Sequence, residues 1–219
     1  SLLCKSRKGM GANQIHRTIG VSYKTAWYLC HRIRAAMKEA QPEKLDGVVE
    51  MDETYVGGRH RGAGVRGRGA DKEIVIGIRQ RGGELRFFHA GDVKSKTLEK
   101  YIKEHVSEDV DVIITDDFSS YSDAMRRTGQ IAKHKTIKHS GGVYVQGEIY
   151  TNSIESAFSL LKRGIMGTWH RISAKHLEAY LDEMTWWFNN RNNPYLFRDT
   201  MIKLISAQNV EYKELTAAA

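Results

Sequence analysis

Cysteine is scarce in this chain: Cys4 and Cys30 are the only two in 219 residues, and they stand far apart. They lack zinc-ligand spacing and argue against a disulfide framework, so they read as reduced thiols of a cytoplasmic protein. No run approaches the roughly 18 apolar residues that would span a membrane. The basic first residues are not followed by the apolar stretch of a signal peptide. Acidic residues are missing from positions 1–38, where Lys5, Arg7, Lys8, Arg17, Lys24, Arg32, Arg34 and Lys38 all fall. The first residue is Ser1 rather than methionine, which points to a piece of a longer protein.

What is present suits a soluble globular protein with a real core, since 41% of residues are hydrophobic and 27% charged. The length allows one large domain, or one with a small appendage. A net charge of +8 favours a polyanionic partner.

Residues 1–40 read as a helical segment. Gly11 to Ser22 has the grammar of a helix, a Gly-containing turn and a serine N-cap, and Tyr23 to Met37 continues as a second helix. That is a helix-turn-helix pattern with Ser22-Tyr23-Lys24-Thr25 opening the recognition helix, which makes Lys24 a candidate DNA contact. A basic α-hairpin packed on the main domain explains the same pattern. After a polar linker around Pro42, residues 46–210 turn β and then helical. Val48 to Val56, Glu73 to Arg79 and Glu84 to Ala90 are predicted strands, the last two joined at Gly82-Gly83. A helix over Lys96 to Val106, a buried strand over Val110 to Thr115 and a helix over Ser119 to Thr128 follow. A fifth strand is predicted over Ala132 to His139. Helices over Asn152 to Arg163, over Ser173 to Asn190, and from Asp199 complete the chain. This order of elements predicts an α/β fold: an RNase H-like mixed five-stranded sheet flanked by helices.

Gly57 to Gly69 carries Arg59, Arg61, Arg66 and Arg68 among glycines and reads as a basic loop suited to phosphate contacts, or as a solvated hairpin tip.

Three acids stand out. Asp52 lies in Val48-Val49-Glu50-Met51-Asp52-Glu53-Thr54-Tyr55, where alternation puts Glu50 and Asp52 on one face of a strand. A carboxylate central in a strand is costly unless paired or metal-bound, though an edge strand would leave it solvated. Asp116 ends the apolar run Val112-Ile113-Ile114-Thr115, where strand termini present functional groups. Asp117 competes with it, and an Asx turn accounts for either. Glu155 opens a helix, as a metal-facing acid or as the third residue of a capping box headed by Asn152. Carboxylates presented by two strands and a helix can hold two Mg²⁺ ions for phosphoryl transfer. Lys162, two turns beyond Glu155, faces the same side and can hold a phosphate, or is a surface lysine. His139, His170 and Arg171 are further candidates for DNA contact, each with a structural alternative, and Arg163 stands beside Lys162. Trp186, Trp187 and Phe188 have the helical spacing of core residues.

Glu50 to Gly58, Thr115-Asp116, Asn152-Ser153-Ile154-Glu155-Ser156, His176 to Glu183 and Asn189 to Asn192 together resemble bacterial insertion-sequence transposases of the ISXO-like group, over nearly the whole chain. The resemblance implies an RNase H-like DDE transposase. It implies a triad of Asp52, Asp116 and Glu155 with Lys162 as companion, using two Mg²⁺ or Mn²⁺ ions to cleave and join insertion-sequence ends. Its partners would be transposon-end and target DNA, bound by a homodimer or higher oligomer in the bacterial cytoplasm at the nucleoid. The zinc ribbon that often precedes the helix-turn-helix in that group has no counterpart here. Asp117 stands where the group more often has glycine. A nuclease on the same fold that does not join ends, and a non-catalytic DNA-binding protein derived from a transposase, are the rival readings.

Overall fold

The computed structural model describes residues 9–39, 42–57, 72–137, 151–170 and 172–217. By packing, the chain divides into two compact units, residues 41–159 and residues 1–40 with 160–219.

In the second unit, α1 (Ala12–Ile19) and α2 (Tyr23–Met37) are joined through Gly20, whose φ of 72° is left-handed. Glycine takes that conformation without the Cβ clash other residues meet. Ser22 caps α2 as its sequence position suggests, accepting the Thr25 amide at 3.1 Å. The helix buries Ala26, Cys30, Arg34 and Met37, one stripe at helical spacing, while Tyr23 and Lys24 at its start stay exposed. The Cys30 thiol is buried and unpaired, and burial pushes its pKa up to about 11.

The C-terminal helices of this unit are the end of α5 (Asn152–Gly164), α6 (Ala174–Asn189), α7 (Leu196–Ser206) and the short α8 (Tyr212–Thr216). The helix expected from Asp199 therefore begins three residues earlier. Arg34 and Glu183 form a buried ion pair between α2 and α6 at 2.6 Å, and the guanidinium lies 3.9 Å from the Tyr180 ring centre. Trp186 and Trp187 are buried with Met37, as their spacing indicated.

The first unit is built on a five-stranded sheet of β1 (Val48–Gly57), β2 (Lys72–Gln80), β3 (Leu85–Ala90), β4 (Val112–Asp116) and β5 (His134–Ile137). The spatial order is β3-β2-β1-β4-β5. The first three strands pair antiparallel; β4 and β5 run parallel to β1. This is the RNase H-like sheet. Two strands begin two residues later than expected, β4 at Val112 and β5 at His134. Val110 and Asp111 form the approach to β4, with the Asp111 and Val112 amides both donating to the Gly47 carbonyl. Residues Ile131–Lys133 make one 3₁₀ turn before β5.

Side-chain alternation divides the sheet cleanly. Met51 in β1, Ile76 and Ile78 in β2 and Ile113 in β4 face α3 (Ser95–His105) and α4 (Ser119–Thr128). Leu98 and Ile102 of α3, and Tyr121, Ala124 and Met125 of α4, complete that core. The opposite face carries Glu50, Asp52, Gly77, Arg79 and Phe87 and receives the first turns of α5. Phe87 stacks on Phe158 with ring centres 5.5 Å apart. Gly77 lies beneath the helix: a Cβ there would stand 2.7 Å from Ile154 and 2.8 Å from Phe158. Both side chains are buried, so neither end can swing away.

Two outcomes follow. Gly77→Ala overpacks the α5 contact and should cost about 1–3 kcal/mol in urea unfolding; a neutral result would mean α5 is free to lift. Glu183→Ala leaves the Arg34 guanidinium buried without a counter-charge and should cost about 3–5 kcal/mol, whereas replacing both partners by leucine or methionine should cost far less.

Candidate active site

β1 and β4 are in parallel register through Val48↔Val112, Val49↔Ile113 and Glu50↔Ile114, where the ladder ends. Asp52 and Asp116 each lie two residues beyond that last rung. Two residues preserve the face of a strand, so both side chains belong to the α5 side, on neighbouring strands whose spacing is about 5 Å. Asp52 is directly opposite Gly77. Glu155 comes down to the same side in the first turn of α5.

Each acid is held by a short local bond. The Glu53 amide donates to Asp52 Oδ1 at 2.8 Å. The Phe118 amide donates to Asp116 Oδ1 at 3.1 Å, so this side chain does form the turn into α4. Thr151 Oγ1 donates to Glu155 Oε1 at 3.2 Å, and the Glu155 amide donates to the Thr151 carbonyl. Glu155 is thus the fourth residue of a helix that starts at Asn152, one place later than a capping box headed by Asn152 requires. Asp117 is exposed and lies just past the strand.

The electrostatics tie the three together. Burial pushes the Asp52 carboxyl up to about 7; the neighbouring charge of Glu53 adds to the rise, the Glu53 amide opposes it, and Asp116 and Glu155 raise it further. Glu53 itself points to the other face, where it accepts a 2.8 Å hydrogen bond from the buried Tyr121 hydroxyl. Hard carboxylate oxygens under mutual repulsion are the donor chemistry of a divalent cation. Among the described residues, however, no three His, Cys, Asp or Glu side chains are grouped tightly enough to hold a metal ion. The three acids share one face and one electrostatic neighbourhood, short of a closed coordination shell.

A family model described as the ISXO2-like transposase domain matches residues 44–189, about two thirds of the chain. The chain belongs to this family. The matched segment runs from the residues just before β1 to the end of α6, and so includes all three acids. A curated relative, an uncharacterized protein in transposable element ISH50 of Halobacterium salinarum, is 30% identical over 191 residues. That match covers 80% of this chain and 63% of the relative, so the chain spans less than two thirds of that protein's length. Among solved structures, a pre-cleavage Mos1 transpososome matches 93% of this chain and 76% of its own at 12% identity, with a TM-score of 0.34. The Mos1 strand transfer complex matches 93% and 75% at 10% identity, with a TM-score of 0.33.

The remaining expected site residues are spread differently. Lys162 and Arg163 are exposed near the end of α5. Lys24 lies over the Tyr212 ring at 4.4 Å from its centre. His170 has a left-handed φ of 59° and its Nδ1 is 3.1 Å from the Met166 carbonyl, closing a π-helical turn over Ile165–Trp169. Arg59, Arg61, Arg66, Arg68, His139 and Arg171 lie outside the described residues. Among the described residues, no helix is long and apolar enough to cross a membrane.

Sequence reading gave no role to Glu50, Gly77, Arg79 or Arg81, all of which shape the α5 side. The signal for Glu50 was present, because alternation placed it on the Asp52 face. For Gly77 no signal existed, since only the register reveals what lies opposite Asp52.

The Asp52 shift carries a pH signature. Its folded pKa is raised above the unfolded value near 4, so between pH 4 and 7 the native state binds more protons. Stability therefore falls as pH rises through that window. Without divalent metal, Asp52→Asn should be more stable than the native chain at pH 8, by about 1–3 kcal/mol after discounting for partial exposure. The gap should close by pH 4, as urea unfolding across the range will read. An equal gap at both ends would put Asp52 at an ordinary pKa.

Proposed function

We propose that the chain is the catalytic part of a DNA transposase, with Asp52, Asp116 and Glu155 as its metal-binding triad. The observation that carries this reading is the electrostatic meeting of three acids from β1, β4 and α5 on one sheet face, in a chain of the ISXO2-like transposase family. Magnesium or manganese bound by these carboxylates would supply Lewis-acid polarisation of a DNA phosphate and a nucleophile usable at neutral pH.

The chain's own contribution is placement. The local bonds from the Glu53 and Phe118 amides hold Asp52 and Asp116 by one oxygen each. Their strands fix the separation of the backbones, and α5 sets the third acid above them. Asp52, titrating near neutrality, gives up its proton when a cation enters, so affinity should rise with pH across that range. Lys162, on the same helix as Glu155, is proposed to hold a DNA phosphate as a point charge. The acid-free basic segment over residues 1–38 supports DNA as the partner. Transposon ends and target DNA are the substrates this reading assigns, with two copies needed to hold two ends.

Two measurements test it. Millimolar Mn²⁺ should raise the melting temperature of the native chain and leave that of Asp116→Asn unchanged. In an assay that follows both cleavage and joining of insertion-sequence ends, Asp116→Asn should lose at least a hundredfold in rate. Native-level cleavage by that variant would sink the assignment. Cleavage without any joining by the native chain would make it a nuclease instead.

A further inference from the structure

Glu50 is fully buried on the sheet face that α5 covers. Its Oε1 accepts from Arg81 Nε at 2.7 Å and from Ser153 Oγ at 3.0 Å; its Oε2 accepts the Ile154 amide at 3.0 Å. Arg79, on the same face of β2, donates from Nη1 to the Ser153 carbonyl. Ser153 C=O and Ile154 N–H are the two ends of one peptide group. That group, in the first turn of α5, is therefore gripped at both ends by side chains of the sheet.

We infer that Glu50 is a positioning residue for the acid cluster: its buried carboxylate docks the first turn of α5 on β1 and so fixes where Glu155 stands relative to Asp52. The inference rests on the proposed triad for its functional meaning. The geometry beneath it is independent of that reading. Glu50 lies two residues before Asp52 on the same strand face, and its helix partner Ile154 immediately precedes Glu155. Apolar contacts such as Phe87 with Phe158 hold a helix down yet leave it free to roll. A bond to one backbone amide does not, since one residue of rotation swings each side chain through about 100°. A buried ion pair adds little stability over apolar packing. What this one adds is a defined rotation of α5, helped by the helix N-terminus, which favours a carboxylate.

The test uses Glu50→Gln, which keeps the volume, removes the charge and turns one acceptor into a donor. Amide hydrogen exchange reads the docking without reference to metal. The Ile154 and Glu155 amides should exchange at least tenfold faster, while the β1–β2 ladder keeps its protection. Mn²⁺ titration followed by electron paramagnetic resonance reads the consequence. Affinity should fall about tenfold in Glu50→Gln, the size seen when a group supporting a metal ligand is lost. In a Glu155→Gln background the same change should cost less than twofold, because the residue acts through Glu155.

Native exchange at Ile154 would overturn the docking. A loosened α5 with native Mn²⁺ affinity, or a full tenfold loss repeated without Glu155, would overturn the positioning role. If Glu155→Gln and Asp52→Asn both bind Mn²⁺ like the native chain, the triad reading fails, and the exchange result alone then decides on the dock. Should Glu50→Gln not fold, Ser153→Ala removes one donor to the same oxygen and should move both readouts in the same direction, by about threefold.

Discussion

A helix cannot lie close over a strand that carries carboxylates unless something makes room and something else satisfies the charge. Gly77 makes the room. It sits opposite Asp52 in the β1–β2 ladder, and the absent Cβ is the space that Ile154 and Phe158 fill. The Arg81 guanidinium, the Ser153 hydroxyl and the Ile154 amide satisfy the Glu50 carboxylate as donors. Everything distinctive about the acid cluster depends on this contact between the sheet and α5. Without it, Asp52 and Asp116 would face open solvent and Glu155 would have no fixed place beside them.

Glu50 and Asp52 share a strand, a face and a chemical type, yet the fold treats them in opposite ways. Glu50 is buried completely and its oxygens meet three donors. Asp52 is less buried, has one amide bonded to it, and is surrounded by further negative charge. The same burial that a satisfied carboxylate tolerates becomes an energetic load on the other. Carboxylates whose ionisation is disfavoured by burial and by neighbouring charge gather at functional sites. The two carboxylates therefore differ in what they do: Glu50 orients the first turn of α5, and Asp52 carries the uncompensated charge beside it.

How much of this was legible beforehand depended on the range of the signal. The succession of strands and helices along the chain, the Ser22 cap, the buried tryptophans and the β1 alternation are local patterns, readable from residue types a few positions apart. Asp116 at the end of an apolar run was legible for the same reason. The capping box at Asn152 was misplaced because a cap depends on which residue first takes helical dihedrals, and residue type favours Asn152 over Thr151 although the helix already begins at Asn152. The start of β4 moved because apolar content marks burial, and Val110 is buried without being in the ladder; the start of β5 moved because Ile131–Lys133 form a 3₁₀ turn. Gly77 and the Arg79–Ser153 bond are products of register and tertiary docking, separated by dozens of residues in sequence, and nothing local encodes them.

Register also explains why two strands, rather than one, supply the sheet's acids. Each strand offers one side chain per 6–7 Å on a given face, farther apart than same-face residues on adjacent strands. Adjacent parallel strands in register bring same-face residues to about 5 Å, and the β1–β4 register, carried two residues past its last rung at Glu50↔Ile114, puts Asp52 and Asp116 on one face of neighbouring strands. Slipping β4 by one residue would turn Asp116 to the α3–α4 face and bring Thr115 round in its place. That slip is opposed by the apolar pattern itself, since it would also expel Ile113 from the core it shares with Met51 and Tyr121. The hydrophobic core on one side of the sheet thus sets the spacing of the carboxylates on the other.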